Sequence, residues 1–149
     1  MTKQMQEETK ILRVMNAVAA GTTDQNSTGV NMAGWESVEF VAAFGALTAT
    51  QVTSLKLQQS SDDGSADAYS DLAGTSSGAL ADGDGNKLIR LEIVNPEKRY
   101  VRAVVDRGTA NAVIDGVIAI LRRPRSLPIT QDASVSKYES HVRPAEGTA

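Results

Sequence analysis

Apolar and polar residues alternate along much of the chain, in short runs set off by Gly, Ser, Thr, Asn and Asp. A period of two predicts half-buried strands, and the regular punctuation predicts an all-β domain, not alternating strands and helices. The first run, "KILRVMNAVAAG", puts Leu12, Val14 and Val18 on one face. A helix over residues 3–20 is the competing reading, because Met5, Leu12, Met15 and Ala19 fall roughly at helical spacing. A strand from about Ile11 is preferred. In "GWESVEFVAAFG", Val38, Phe40, Ala42 and Phe44 face one way, and Ser37, Glu39 and Val41 the other. "TSLKLQQS" turns Leu55 and Leu57 inward, and a brief strand is read around Tyr69 to Leu72. "NKLIRLEIVNP" sets Ile89, Leu91 and Ile93 against Leu88, Arg90 and Glu92, and Pro96 ends it.

The stretch "RYVRAVVDRGTANAVIDGVIAILRRP" predicts a hairpin turning at Thr109 and Ala110. Val104 then faces Asp115 and Arg102 faces Val117, with Asp115 diagonal to Arg102 and within its reach. Val101, Ala103, Val105, Ile114, Ile118 and Ile120 form the expected core face. Val117, Ala119 and Leu121 then fall on an outward face that is itself apolar. Gly116 marks a bulge or a close backbone approach. The last segment, from Arg123, has three of the four prolines and little periodicity and reads as an extended arm, loosest over its last ten residues. About seven or eight strands result, in an antiparallel β-sandwich for which a jelly roll is the natural form. The boundaries are an N-terminal arm (1–10), the sandwich (11–125) and an extended C-terminal arm (126–149).

Composition refines this picture. At 149 residues the chain suits one compact domain that needs no metal or disulfide to hold it. Apolar residues make up 41%, but only 4% are aromatic, so the core is built from small side chains and subunit contacts become more valuable. The chain has no Cys, which rules out disulfides and thiolate chemistry and fits assembly in a reducing cytosol. No apolar run approaches the roughly 20 residues of a membrane span, and the polar start "MTKQMQEETK" does not read as a secretory leader. The net charge of −3 argues against general nucleic-acid binding. It is unevenly spread: residues 1–86 carry 4 basic and 11 acidic groups, residues 87–125 carry 9 basic and 4 acidic. The basic segment could meet an acidic partner surface, with solvated strand faces as the plain alternative.

Candidate chemistry is sparse. His141 is the single His and sits in the terminal arm, so a Ser/His/Asp arrangement is not expected. "DGDGNK" places Asp82, Asp84 and Asn86 at calcium-loop spacing, but Lys87 stands where the turn Gly belongs and Ile93 where the bidentate Glu belongs. A tight turn explains it better, and the same holds for Asp62 and Asp63 before Gly64. There is no strand–glycine–helix phosphate loop. Trp35 and Tyr69 could stack on a sugar, although a Trp at a strand start more often plugs a core. "LRRPR" gathers Arg122, Arg123 and Arg125, whose guanidiniums suit carboxylates across an interface. No metal or cofactor is expected, and the chain does not read as an enzyme.

Three stretches carry a resemblance: "AVAAGTTDQNSTGVNMAGWESVEFVAAFGALTATQ", "LQQSSDDGSADAYSDLAG" and "KRYVRAVVDRGTANAVIDGVIAILRRPR". Together, from about Val14 to Pro128, they resemble tailed-phage head proteins of the small cement, or decoration, class. The likeness is one of whole pattern, without a diagnostic motif. It implies a jelly-roll-type domain on the outer surface of an icosahedral phage capsid, assembled in the host cytoplasm. It also implies major capsid protein and further copies of the chain, as dimer or trimer, as partners, with neither nucleic acid nor membrane. On this reading the contacts are the arms, the apolar flank of Val117, Ala119 and Leu121, and Arg122, Arg123 and Arg125. The alternative is a virion-surface carbohydrate-binding or host-attachment module using the sandwich loops and Trp35.

Overall fold

A computed structural model describes residues 5–147. Residues 1–4 of the expected N-terminal arm and 148–149 of the C-terminal arm lie outside the described residues. A single helical turn, α1 (Met5–Glu8), precedes the first strand, β1 (Thr9–Met15). Then come β2 (Val18–Gly21), β3 (Gln25–Asn26), β4 (Val30–Asn31), β5 (Trp35–Leu47), β6 (Ser54–Ser60) and β7 (Ser70–Asp71). A short 3-10 turn at Asp82–Asp84 leads to β8 (Leu88–Val94), β9 (Tyr100–Asp106) and β10 (Ala112–Pro124).

The strands form two antiparallel sheets, a β-sandwich as the alternation predicts. The first sheet has the order β1-β10-β5-β8, with β2 also on β10. In the second, β3 and β4 lie on β9, followed by β6 and β7. The pairs nest: β1 with β10, β3 and β4 with β9, β5 with β8, β6 with β7. Between the sheets lie Val38, Phe40, Ala42 and Phe44 from β5, Leu55 and Leu57 from β6, and Val101, Ala103 and Val105 from β9. Ile89 is buried on β8, with Leu91 and Ile93 packed against the same core. These faces follow the alternation read from the sequence.

The last two strands depart from it. β9 and β10 are not a hairpin. β9 lies in the second sheet between β6 and the β3/β4 pair, whereas β10 lies in the first between β1 and β5. Residues 107–111 carry the chain across the sandwich. Arg107 holds this crossover: it is buried, and its guanidinium donates to the carbonyls of Thr23 (2.7 Å), Ala19 (3.0 Å) and Ala112 (2.9 Å). The expected pairs Val104–Asp115 and Arg102–Val117 therefore do not form. Arg102 donates instead to Gln58 Oε1 at 2.9 Å, and Asp115 is exposed on the other sheet.

The face of β10 is also corrected. Ala112 and Ile114 point inward before Gly116, and Val117, Ala119 and Leu121 point inward after it, at 0%, 0% and 2% exposure. The cause is a bulge. The register against β5 shifts between Ile114 and Gly116, and the extra residue reverses which parity faces the core. Gly116 has φ +145°, and a Cβ there would lie 3.1 Å from the Met15 carbonyl oxygen. Val117, Ala119 and Leu121 are thus core residues with no free surface for a partner. Ile118 and Ile120, expected in the core, face outward.

Candidate functional site

The outer face of the first sheet is set by cross-strand register. Ile118 lies between Val41 and Arg13, and Ile120 between Glu39 and Ile11. On the other side of β5, Arg90 is opposite Val41, Glu92 opposite Glu39, and Val94 opposite Ser37. Leu88, Val94 and Ile118 are 60%, 46% and 38% exposed on this face. In its middle sits a carboxylate that is only 4% exposed, Glu39. Arg90 Nε bonds one of its oxygens and Arg122 Nη2 the other. The Arg90 hydrogen bond, with the positive charges of Arg122 and Arg90, holds the Glu39 carboxyl below its usual range against the opposing effect of burial. The two guanidinium-bearing side chains remain 63% and 42% exposed, so Glu39 fixes them while leaving them open to a partner. Beside them a shallow recess of about 310 Å³ is lined by Val41, Ala43, Leu88, Gly116 and Ile118.

The C-terminal arm covers one margin of this surface. Gln131 accepts from the Ile11 N–H through Oε1 (3.4 Å) and donates to the Thr9 carbonyl through Nε2 (2.7 Å). Ser134 Oγ accepts from the Arg13 N–H at 3.0 Å. The free edge of β1 is therefore capped by side chains and not by another strand. Met5, Ile11, Val135 and Tyr138 enclose an apolar recess of about 350 Å³ there. Past this edge, residues 136–147 of the arm are exposed throughout. Leu127, Tyr138 and Val142 along it stay exposed.

The three arginines after β10 do not act as one cluster. Arg122 belongs to the Glu39 clasp. Arg123 turns away with φ +55°, its Nη1 4.0 Å from Glu36. Arg125 is exposed at the end of the sandwich, its N–H bonded to the Gly34 carbonyl at 2.8 Å. The basic segment of residues 87–125 likewise divides between the sheets, with β8 and β10 in one and β9 in the other.

The other sequence candidates resolve into structure. Asp82 accepts from the Thr50 N–H at 3.0 Å, and Asp84 accepts from the Ala81 N–H and Lys87 Nζ, so this turn engages its own carboxylates. Asp62 accepts from the N–H groups of Ser65, Ala66 and Asp67, closing the loop after β6. Among the described residues no group of three or more His, Cys, Asp or Glu is placed to hold a metal ion. Tyr69 donates to Asp63 at 2.5 Å, and Arg102 lies 4.1 Å over its ring, so that face is taken. The bond fits because residue 29 is glycine: a Cβ there would fall 2.0 Å from Asp63 Oδ1 and 2.1 Å from the Tyr69 hydroxyl. Trp35 packs partly on the core and also borders two recesses at the sandwich end. His141 is exposed, 3.2 Å from Glu139.

Sequence reasoning missed the Glu39 clasp and the Arg107 latch. The signal for the first was an acid inside the apolar run "VEFVAAF". Its partners come from strands distant in sequence, which only the register reveals.

No protein-family model matches the chain, and no curated protein matches it. Among solved structures it is similar to the crystal structure of SPBc2 prophage-derived protein YomS, with TM-score 0.44 and 10% identity. That similarity covers 76% of this chain and 93% of the other.

Proposed function

We propose that this protein is a non-enzymatic structural component of a phage virion, a cement protein that docks on the outer surface of the capsid and bridges major capsid protein subunits. The nested strand pairs fit a long hairpin rolled into a jelly roll, the form that the resemblance to head decoration proteins implies. The observation that carries the proposal is the outer face of the first sheet. Leu88, Val94 and Ile118 surround two guanidiniums held by one buried carboxylate. Exposed apolar groups beside pre-oriented arginines suit the centre of a protein interface. The contact set is accordingly Ile118, Leu88, Val94, Arg90 and Arg122, not Val117, Ala119 and Leu121. A specific contact buries on the order of 1,000 Å² or more. Many such contacts around a shell, with each subunit touching two neighbours, resist internal pressure through avidity.

The test uses heads that lack the protein. Added wild-type chain should co-sediment with them and raise their resistance to heat and osmotic shock. Ile118→Glu, folded by circular dichroism, should bind at least about tenfold more weakly, as expected for a charge buried at an apolar contact. Heads that gain nothing from the wild-type chain would refute the bracing role. Undiminished binding of Ile118→Glu would refute this face as the dock.

A further inference from the structure

Three segments meet at one end of the sandwich: the turn between β4 and β5, the crossover from β8 to β9, and the end of β10. They enclose an open recess of about 320 Å³. Trp35 and Met32 supply apolar wall, Asn95 an amide, and Lys98, Arg99 and Arg125 positive charge, against Glu97 as the acid among the described lining residues. The frame is fixed by backbone hydrogen bonds: Met32 N–H to the Arg99 carbonyl (2.8 Å), Trp35 N–H to Met32 (3.0 Å), Asn95 N–H to Glu36 (2.7 Å) and Arg125 N–H to Gly34 (2.8 Å). The recess is therefore formed before any ligand arrives.

The cations are not equivalent. Lys98 is paired with Asp67 at 2.7 Å. Arg99 donates to Asn31 Oδ1 at 3.0 Å and lies 5.5 Å over the Tyr100 ring. Arg125 pairs with no carboxylate among the described residues, is exposed, and lines the same recess as Trp35. An indole next to an available guanidinium fork suits a ligand with a flat C–H face and a carboxylate. The amide and ammonium donors at the rim suit hydroxyl groups. The recess is open and lacks the deep apolar pocket that anchors a peptide side chain.

We propose that this recess binds an acidic saccharide of the uronic type, with the sugar ring against Trp35 and its carboxylate on Arg125. The site lies away from the outer sheet face, so it goes beyond the docking role and can stand or fall without it. The probe is tetragalacturonate, titrated into the full chain while the Trp35 indole N–H signal is followed by NMR. Maltotetraose serves as the neutral control and hexaglutamate as the peptide carboxylate. Tetragalacturonate should shift the indole signal saturably, and added salt should weaken binding. Arg125→Gln should weaken it by about tenfold, the loss of one charge-assisted fork, and Ile118→Glu should leave it unchanged. No shift up to about 10 mM, weaker than any specific contact, would overturn the proposal. An equal response to maltotetraose would remove the role of the carboxylate, and tighter binding of hexaglutamate would remove the sugar.

Discussion

Asp106, half-buried at the end of β9, carries a carboxyl group in an unfavourable place. Burial pushes its pKa up, and the neighbouring Asp24 pushes it further, with Lys56 opposing. Asp24 is fixed there because its Oδ1 accepts from the Arg107 N–H at 2.8 Å. The folded state thus binds a proton at Asp106 more tightly than the unfolded chain does. That contribution is fully present below the ordinary carboxyl pKa of about 3.9 and is lost as pH rises through the raised folded value. Asp106→Asn, which keeps a hydrogen-bonding group without the charge, should raise the melting temperature at pH 7. The gain should shrink as pH falls through the raised folded value, where the wild-type carboxyl takes up its own proton. Calorimetry across this range checks the sign, and a gain independent of pH would refute it. Other carboxylates act in the opposite sense. Asp67, lowered to about 2 chiefly by its hydrogen bond from Lys98, and Glu39, lowered by the Arg90 hydrogen bond, favour folding above the ordinary carboxyl range. Their contribution disappears as pH falls through their depressed values, so the acid and neutral limbs of the stability curve have different owners.

The bulge in β10 shows how one residue governs a whole element. A strict alternation carried through Gly116 would place Ile118 and Ile120 in the core. The bulge places Val117, Ala119 and Leu121 there instead, and so decides which side chains any partner can meet. Gly116→Ala puts a Cβ 3.1 Å from the Met15 carbonyl in a backbone region that side chains rarely adopt. It should cost about 1–3 kcal/mol, read from the urea midpoint with an unchanged slope. A neutral result would mean that the bulge does not depend on glycine. The faces of β5, β6, β8 and β9 were legible in the sequence because each keeps an unbroken alternation in which most of the polar residues fall on one parity. β10 was not, since both of its parities are apolar and a two-fold pattern cannot show where an extra residue is inserted. The connection between β9 and β10 was hidden for a related reason. Five residues fit either a hairpin or a crossover, and the choice rests on carbonyls from residues 19, 23 and 112 that Arg107 draws together. All three arginines expected as contacts are exposed or part-exposed, and of these Arg122 and Arg125 sit in different places. Their separate settings, a carboxylate clasp and an indole-lined recess, depend on distant strands.

Across the whole molecule the nested pairs bring the chain's first strand against its last. Thr9 lies opposite Arg122, and Leu12 opposite Ala119. The β1–β10 seam therefore closes a loop that spans nearly the entire domain, and the entropy of that closure precedes any gain from packing. A topology dominated by such pairs predicts slow folding, on the order of milliseconds to seconds. The single Trp, partly buried at the sandwich end, reports this directly by stopped-flow fluorescence. The same geometry predicts the order of events. Pairs of shorter separation, such as β6 with β9, precede the seam, so seam contacts are weak in the transition state. Leu12, which packs against the core from β1, should then affect mainly the unfolding limb. Leu12→Ala should speed unfolding while changing the refolding rate by less than about twofold, the behaviour of a side chain docked after the barrier. Equal and large effects on both limbs would place the seam inside the folding nucleus. Because Ile118, which faces outward from the seam on β10, belongs to the proposed docking face, a shell bound across it should slow that same opening. Unfolding of the protein on heads should therefore be slower than in solution, by a similar factor for Leu12→Ala and for wild type.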